Sequence, residues 1–127
     1  MLKKSFVALF VAASAAFAVA QQPGFTRTVL QQSDLSIPGR EAITARVEFI
    51  AGASVGRHTH FGEEIAYVSE GTIEVETDGA MKTVKAGEAF LIPAGKPHNA
   101  TNTGAGKAVL VVTYVVEKGK PLATPFK

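Results

Sequence analysis

The feature that most constrains the fold of this chain is a series of short apolar segments separated by glycine and proline. Residues 43–50 alternate apolar and polar side chains, and a period of two is typical of strands with one buried face. Residues 89–92 and 108–116 are apolar runs, and the β-branched content of the second favours a strand over a helix. This part of the sequence contains no convincing helical period with capping residues. Frequent glycine and proline breaks between short strands are typical of sandwiches and barrels. The sequence therefore predicts an all-β domain.

The alternation and the turns set bounds on the predicted strands. Asp78-Gly79 is a two-residue hairpin signal, and residues 36–39 predict a second turn. The predicted strands are 43–50, 64–68, 72–77, 81–84, 89–92 and 108–116, with 26–30 as an edge strand. The apolar face predicted for the first of these consists of Ile43, Ala45, Val47 and Phe49.

The first twenty residues differ from the rest of the chain. Lys3 and Lys4 precede an apolar and small-residue run from Ser5 to Phe17, and Ala18-Val19-Ala20 ends it. A basic head, a short apolar middle and a small-x-small end are typical of a secretory signal peptide. A membrane anchor is the alternative, but the run is short for a bilayer core of roughly 30 Å. We expect an exported protein, periplasmic or secreted, cleaved after Ala20 or, as second choice, after Ala18.

Cleavage after Ala20 changes the charge of the protein. The 13 basic residues fall to 11, which equals the number of acidic residues, so the mature chain is formally neutral. A neutral domain gives no electrostatic reason to expect nucleic acid or an anionic membrane as a partner. The chain has no cysteine, which excludes disulfides and thiolate metal ligands. With 46% hydrophobic residues, the domain can rely on an apolar core.

Three histidines and one glutamate are the candidate metal ligands. His58 and His60 lie two residues apart, so in an extended strand both imidazoles point to the same face and can converge on one ion. Glu64 begins the next predicted strand, and His98 follows a turn, 93–97, that would return a distant strand. Taken singly, each histidine is better explained as a surface or hydrogen-bonded residue. Together, three imidazoles and a carboxylate suit Fe, Mn, Ni, Co, Cu or Zn.

The spacing of these residues resembles the two motifs of the cupin superfamily. The first motif is Gly, five residues, His-x-His, three or four residues, Glu, six residues, Gly, and it is matched by Gly52, His58, His60, Glu64 and Gly71. The second is Gly, five residues, Pro-x-Gly, two residues, His, three residues, Asn, and it is matched by Gly87, Pro93, Gly95, His98 and Asn102.

The resemblance implies a small single-domain type-2 cupin, similar to the quercetinase-like members, with a double-stranded β-helix (jelly-roll) barrel. It implies one divalent transition metal bound by His58, His60, Glu64 and His98. Only Glu64 has the family spacing to both histidine and glycine, so we expect Glu63 to be solvated or beside the ligands. Because family members often pair through their sheets, a homodimer is expected. The expected organisation is 1–20 signal peptide, 21–42 N-terminal arm or edge strand, 43–116 barrel and 117–127 surface tail.

Two functions are compatible with this site. Four protein ligands leave one or two coordination positions open on a metal that prefers five or six, as in catalytic sites. The first hypothesis is therefore a metal-dependent enzyme acting on a small organic molecule, dioxygenase-like or an isomerase or lyase, with Glu64 as both ligand and catalytic proton carrier. The alternative is a non-catalytic metal or small-molecule binding module, because the domain has no long insertion to form a lid.

The alternation also suggests which side chains face a substrate. Arg57 and Lys96 flank ligands and are candidates for binding an acidic substrate, although long charged side chains usually face water. The expected cavity lining, each residue of which is equally explained as ordinary core, is Val47, Phe49, Ala66, Val68, Phe90, Ile92 and Tyr114.

Overall fold

The computed structural model describes residues 22–127, which form ten strands and no helix. The predicted signal peptide, residues 1–20, lies outside the described residues. Within the described range, no helix long and apolar enough to cross a membrane is found. The strands are β1 (Phe25–Asp34), β2 (Arg40–Phe49), β3 (His58–Thr59), β4 (Gly62–Glu70), β5 (Thr72–Thr77), β6 (Ala80–Lys85), β7 (Ala89–Ile92), β8 (His98–Thr101), β9 (Ala108–Glu117) and β10 (Thr124–Pro125).

The strands form two five-stranded sheets in which the pairing is antiparallel. Sheet A has the order β1-β2-β9-β4-β7, and sheet B has the order β10-β3-β8-β5-β6. Strands far apart in sequence are neighbours in both sheets, as where β9 lies between β2 and β4. The all-β prediction and the jelly-roll architecture implied by the resemblance are both confirmed.

The core lies between the two sheets. The face predicted for residues 43–50 is the buried one, because Ile43, Ala45, Val47 and Phe49 are each at most 7% exposed. Sheet B contributes Ile73, Val75 and Val84 to the same apolar cluster. Burial of one such aliphatic or aromatic side chain contributes about 1.5–3 kcal/mol. The two sheets are therefore held together mainly by apolar packing.

The structure extends most of the predicted strands and adds three short ones, β3, β8 and β10, where the alternation is weak. Strand β1 covers Phe25–Asp34, with a register shift between Val29 and Gln31, and β2 begins at Arg40. The sequence pattern does not predict β8 or β10, because these short segments become strands through long-range pairing. The last residues were expected to lie along the surface; Thr124 and Pro125 are exposed and also pair with β3.

Two turns have the backbone conformations that their sequences favour. In the β5–β6 hairpin, Asp78 and Gly79 have φ values of 50° and 79°, the two positive angles that a type I′ turn requires. Gly71 has φ of 78°, and a Cβ atom there would lie 2.6 Å from the carbonyl oxygen of Lys107. A larger residue at position 71 would therefore separate β4 and β5 from the start of β9.

Candidate metal centre

The four side chains predicted as ligands lie together inside the protein. One ligand atom from each of His58, His60, Glu64 and His98 lies within 4.8 Å of all the others. All four residues are buried, with exposed fractions between 2% and 8%. The structure thus brings residues from both sequence motifs to one point between the sheets.

Strand pairing produces this convergence. His58 in β3 lies directly opposite His98 in β8, and their ring centroids are 4.2 Å apart. His60 follows β3, with its ring centroid 4.7 Å from that of His58 and 5.0 Å from that of His98. Glu64 occupies an inward position of β4, opposite Tyr114 in β9. The histidines therefore come from sheet B and the chain following β3, and the carboxylate comes from sheet A.

Each imidazole is oriented by a backbone carbonyl group. The Nδ1 atoms of His58, His60 and His98 lie 2.7, 2.5 and 2.9 Å from the carbonyl oxygens of Gly56, Leu122 and Lys96, respectively. Because a carbonyl oxygen only accepts, each Nδ1 carries the proton and donates it. The Nε2 atom of each neutral ring then has a lone pair available to bind an ion at the centre of the site. Carbonyl support of this kind fixes the tautomer and orientation of metal-binding histidines.

The donors and acceptors around Glu64 fit a bound cation. Glu64 Oε2 lies 3.0 Å from His60 Nε2 and 2.8 Å from His98 Nε2. Since Nδ1 of each ring already donates to a carbonyl, a neutral ring has no second N–H for the carboxylate. Two imidazolium ions with ring centroids 5.0 Å apart would repel each other. A metal ion bound by the Nε2 lone pairs and the carboxylate would need neither a second N–H nor two protonated rings. These residues therefore fit a divalent transition metal.

The pKa values of two of the four groups have the directions that metal binding needs. Burial, reinforced by the charges of protonated His98 and His60, lowers the pKa of His58 to about 4. Burial alone would raise the pKa of Glu64, but in the metal-free site the His60 and His98 rings, which donate to the carboxylate when protonated, hold that pKa well below its usual range. At neutral pH His58 is therefore neutral and Glu64 is ionised, as ligands must be.

Asn102, the last residue of the second motif, fixes the two histidine segments relative to each other. Its backbone N–H donates to the carbonyl of Ala53, and its own carbonyl accepts from Gly52, both at 2.9 Å. Its fully buried side-chain amide donates to the carbonyls of Phe49 and Gly106 at 3.1 and 2.8 Å. The chain after β8 is thereby held against the segment before β3, which sets the separation of the histidines.

The charged residues near the ligands point away from the centre. Glu63 is exposed on the opposite face of β4 from Glu64. Arg57 pairs with Glu76 at 3.4 Å and lies over the ring of Phe126. Lys96 pairs with Asp78 at 2.9 Å, and its side chain is 40% exposed. Arg57 and Lys96 are not among the residues that line the cavity, and their exposure agrees with the expectation that long charged side chains usually face water.

A small cavity adjoins the ligands between the sheets. Its volume is about 20 Å³, which is room for roughly one water. His58, Glu64 and His98 form part of its wall. Of the predicted lining residues, Val47, Phe49, Phe90 and Tyr114 line the cavity, whereas Ala66, Val68 and Ile92 are buried elsewhere in the core. Alternation identifies the inward face of a strand but not the depth at which each residue lies.

Sequence reasoning missed Arg27, which also lines the cavity. Arg27 follows Phe25 by two residues in β1, so both side chains face the interior, and Arg27 is half-buried. The sequence feature that could have indicated Arg27 is a charged residue at an inward position of an edge strand. Arg27 contacts Tyr114. Burial and the nearby charge of Glu64 raise the pKa of the Tyr114 phenol, so the Tyr114 hydroxyl stays protonated at neutral pH.

Comparisons with known proteins agree with this fold. The family model described as Cupin domain matches residues 45–114. Germin-like protein 1-1 of Oryza sativa subsp. japonica is 33% identical over 112 residues, covering 77% of this chain and 52% of that protein. The β-alanine degradation protein BauB of Pseudomonas aeruginosa is 30% identical over 84 residues, covering 64% of this chain and 88% of that protein.

A solved structure extends the comparison to the backbone. Oxalate oxidase in complex with the substrate analogue glycolate superposes with a TM-score of 0.63 at 27% identity, over 80% of this chain and 54% of that chain. The present chain thus spans about half the length of germin-like protein 1-1 and of oxalate oxidase. Because the Cupin domain match covers more than half of the chain and includes both histidine segments on a jelly-roll fold, the protein belongs to the cupin superfamily.

Proposed function

We propose that this cupin is a metal-dependent enzyme, oxygenase-like or an isomerase or lyase, that acts on a small organic molecule. It binds one divalent metal, among Fe, Mn, Ni, Co, Cu and Zn, through His58, His60, Glu64 and His98. The observation that carries the proposal is the orientation of the three imidazoles by backbone carbonyls, which leaves three Nε2 atoms and one carboxylate close together, with His58, Glu64 and His98 at the wall of a cavity. The glycolate complex of the similar oxalate oxidase supports a small organic ligand.

The residues of the site have separate tasks in this proposal. A bound divalent metal would supply Lewis acidity and open coordination positions. The three imidazoles and Glu64 hold the ion with one compensating negative charge. We assign to the Glu64 carboxylate the transfer of a substrate proton, because a carboxylate ligand can leave the metal to accept a proton. Phe49 and Phe90 limit the size of the substrate, since their rings line the cavity.

A non-catalytic binding module remains the second candidate, and the cavity volume favours it. About 20 Å³ is far below the roughly 300–1,000 Å³ of typical small-molecule pockets. An enzyme with this interior needs a very small substrate, or aromatic side chains that move when the substrate binds.

Access of water to the metal distinguishes the two candidates. We expect Mn(II)-loaded protein to increase the relaxation rate of water protons, because a coordination position left by the four ligands holds an exchangeable water. Added glycolate should reduce this increase by displacing the water. Mn(II)-loaded protein that gives no increase beyond an outer-sphere contribution would contradict the enzyme proposal and favour a closed binding module.

Export is the proposed route to the compartment where the protein acts. The support is Lys3 and Lys4, the apolar run and the Ala18-Val19-Ala20 end. The mass of the native protein, measured intact, is expected to correspond to a chain that starts at Gln21, or at Val19 if cleavage follows Ala18. A full-length mass would contradict export by this signal.

A homodimer is the proposed assembly. An apolar patch crosses β7, β4 and β9 on the outer face of sheet A: Leu91 lies opposite Ile65, and Val111 lies opposite Tyr67. These four side chains are 37–56% exposed, and such patches often mark interfaces. Sedimentation equilibrium is expected to give twice the protomer mass, and Tyr67→Lys should give a monomer because pairing would bury its charge. A monomeric wild type at micromolar concentration would contradict this assembly.

A further inference from the structure

Arg27 is a cationic side chain without an acidic partner in an otherwise mostly apolar cavity. Within residues 22–127 no carboxylate oxygen lies within 4.0 Å of its guanidinium, whereas Arg46, Arg57 and Lys96 each pair with an acidic residue. The guanidinium lies over the rings of Phe25 and Tyr114, 5.2 and 5.5 Å from their centroids. The two aromatic rings thus position the guanidinium, but no described acidic residue neutralises its positive charge.

The Arg27 side chain has hydrogen-bonding capacity that the described residues do not use. Its Nε atom donates to the Tyr114 hydroxyl at 3.2 Å, the one side-chain hydrogen bond that the described residues give it. The two terminal Nη groups remain available, and together they form the planar fork that matches a carboxylate. The Tyr114 hydroxyl accepts from Nε and therefore keeps its own hydrogen to donate.

The Arg27–Tyr114 pair adjoins the ligand set. Tyr114 lies opposite Glu64 in the β4–β9 pairing, and its ring centroid is 4.9 Å from that of His60. Arg27, Tyr114, Glu64, His58 and His98 all line the same cavity. A divalent ion balanced by one carboxylate leaves one positive charge, and Arg27 adds a second. An anion is therefore the complementary ligand for this cavity.

We propose that Arg27 and Tyr114 bind the carboxylate of a small anionic substrate whose remaining atoms reach the centre formed by His58, His60, Glu64 and His98. This inference rests on the proposed function and specifies its substrate class. Because the cavity has room for roughly one water, a substrate of even a few non-hydrogen atoms requires the aromatic side chains that line it to move on binding. Arg27 and Tyr114 act as positioning residues for recognition, since they hold the carboxylate end and leave the ligand set unchanged.

The test compares a carboxylate with a neutral molecule of nearly the same shape. Propionate and propionamide are titrated into Co(II)-loaded protein, and isothermal titration calorimetry measures the binding of each. We expect the wild type to bind propionate at least about tenfold more tightly than propionamide, because hydrogen bonds to a charged group are the stronger ones. Arg27→Gln should weaken propionate binding about 10- to 100-fold, leave propionamide binding unchanged and retain the metal.

Three further variants separate recognition from a packing role. Arg27→Lys keeps the charge but loses the fork, so an intermediate affinity for propionate is expected. Tyr114→Phe should weaken propionate binding by a smaller factor than Arg27→Gln. Arg46→Gln is the matched control, because Arg46 lies on β2 with an exposed side chain paired to Glu48, and it should change nothing.

The outcomes distinguish this inference from the proposed function. If Mn(II)-loaded protein holds an exchangeable water but propionate is not preferred, or the preference persists in Arg27→Gln, carboxylate recognition by Arg27 is wrong and an open metal site remains. If neither ligand binds and no water exchanges, both ideas are wrong. If Arg27→Gln no longer melts cooperatively, Arg27→Lys provides the test instead. Wild-type affinity for propionate in Arg27→Lys would contradict carboxylate recognition by the planar guanidinium of Arg27.

Discussion

Replacement of both His58 and His98 by alanine is expected to abolish stoichiometric metal binding. The two residues face each other across β3 and β8, and they supply two of the three imidazoles of the site. Loss of groups that only orient a ligand typically costs 10- to 100-fold in metal affinity, so loss of a ligand should exceed about 100-fold. Each single variant, including His60→Ala, should lose metal on gel filtration. Inductively coupled plasma mass spectrometry of the eluted protein measures the content.

The double variant should remain folded, because it removes no part of the apolar cluster between the sheets. Its circular dichroism and cooperative melting are the control for this point. Stoichiometric metal in a folded His58→Ala, His98→Ala protein would contradict the assignment of the metal centre.

Neighbouring glutamates provide a matched pair for the fourth ligand. Glu64→Gln preserves the shape of the side chain but removes the anionic oxygen that faces His60 and His98. Glu63→Gln makes the same chemical change on the exposed face of β4. We expect a lower metal affinity from the first variant and an unchanged affinity from the second. Equal losses, or a larger loss in Glu63→Gln, would mean that the fourth ligand is misassigned.

The choice of Glu64 over Glu63, and the inclusion of His98, came from the spacing of the cupin motifs. The orientation of His58 and His60 was predictable from local information, because the two need only an extended backbone to face the same way. The strand cores were predictable for the same reason: the alternation from Ile43 to Phe49 corresponds directly to burial between the sheets. Each of these local features depends on the period of a strand and on the turn that ends it.

The supporting contacts were not predictable, because they depend on pairing between distant segments. The carbonyl of Leu122 orients His60, 62 positions earlier in the chain, and no local pattern around Leu122 marks it. Strand β8 is polar and only four residues long, and its pairing with β3 and β5 makes it a strand. Arg27 belongs to the cavity because β1 adds to the edge of sheet A, where its inward face reaches Tyr114.

Acidification is expected to release the metal from a protein that stays folded without it. A ligating imidazole must be neutral, so protons compete with the metal for Nε2. In the metal-free site burial lowers the pKa of His98, but the hydrogen bond and charge of Glu64 outweigh burial and raise that pKa above its ordinary value of 6.5. The pKa of His58 is about 4, so His58 accepts a proton at lower pH than His98. Metal affinity should therefore begin to fall near neutral pH and continue to fall towards pH 4.

Metal removal at neutral pH tests whether the ion stabilises the fold or forms it. Ligand binding at 100 to 1,000 times the dissociation constant stabilises a protein by about 2.7–4.1 kcal/mol. In a domain of about 100 residues each kcal/mol shifts the melting temperature by roughly 4–8 °C. Chelator-treated protein should thus melt cooperatively at least about 10 °C below the metal-loaded form, with the same β-rich circular dichroism.

The core explains why we expect a folded metal-free state. The apolar cluster draws side chains from β2, β4 and β9 of sheet A and from β5 and β6 of sheet B, so both sheets remain joined when the ligands are empty. Small domains that need a metal to fold lack such a core and unfold when the ion is removed. A chelated protein with no cooperative transition at neutral pH would show that the ion is structural, and the enzyme proposal would lose its basis. Retention of the β-rich fold, with reversible reloading of metal, is the expected result.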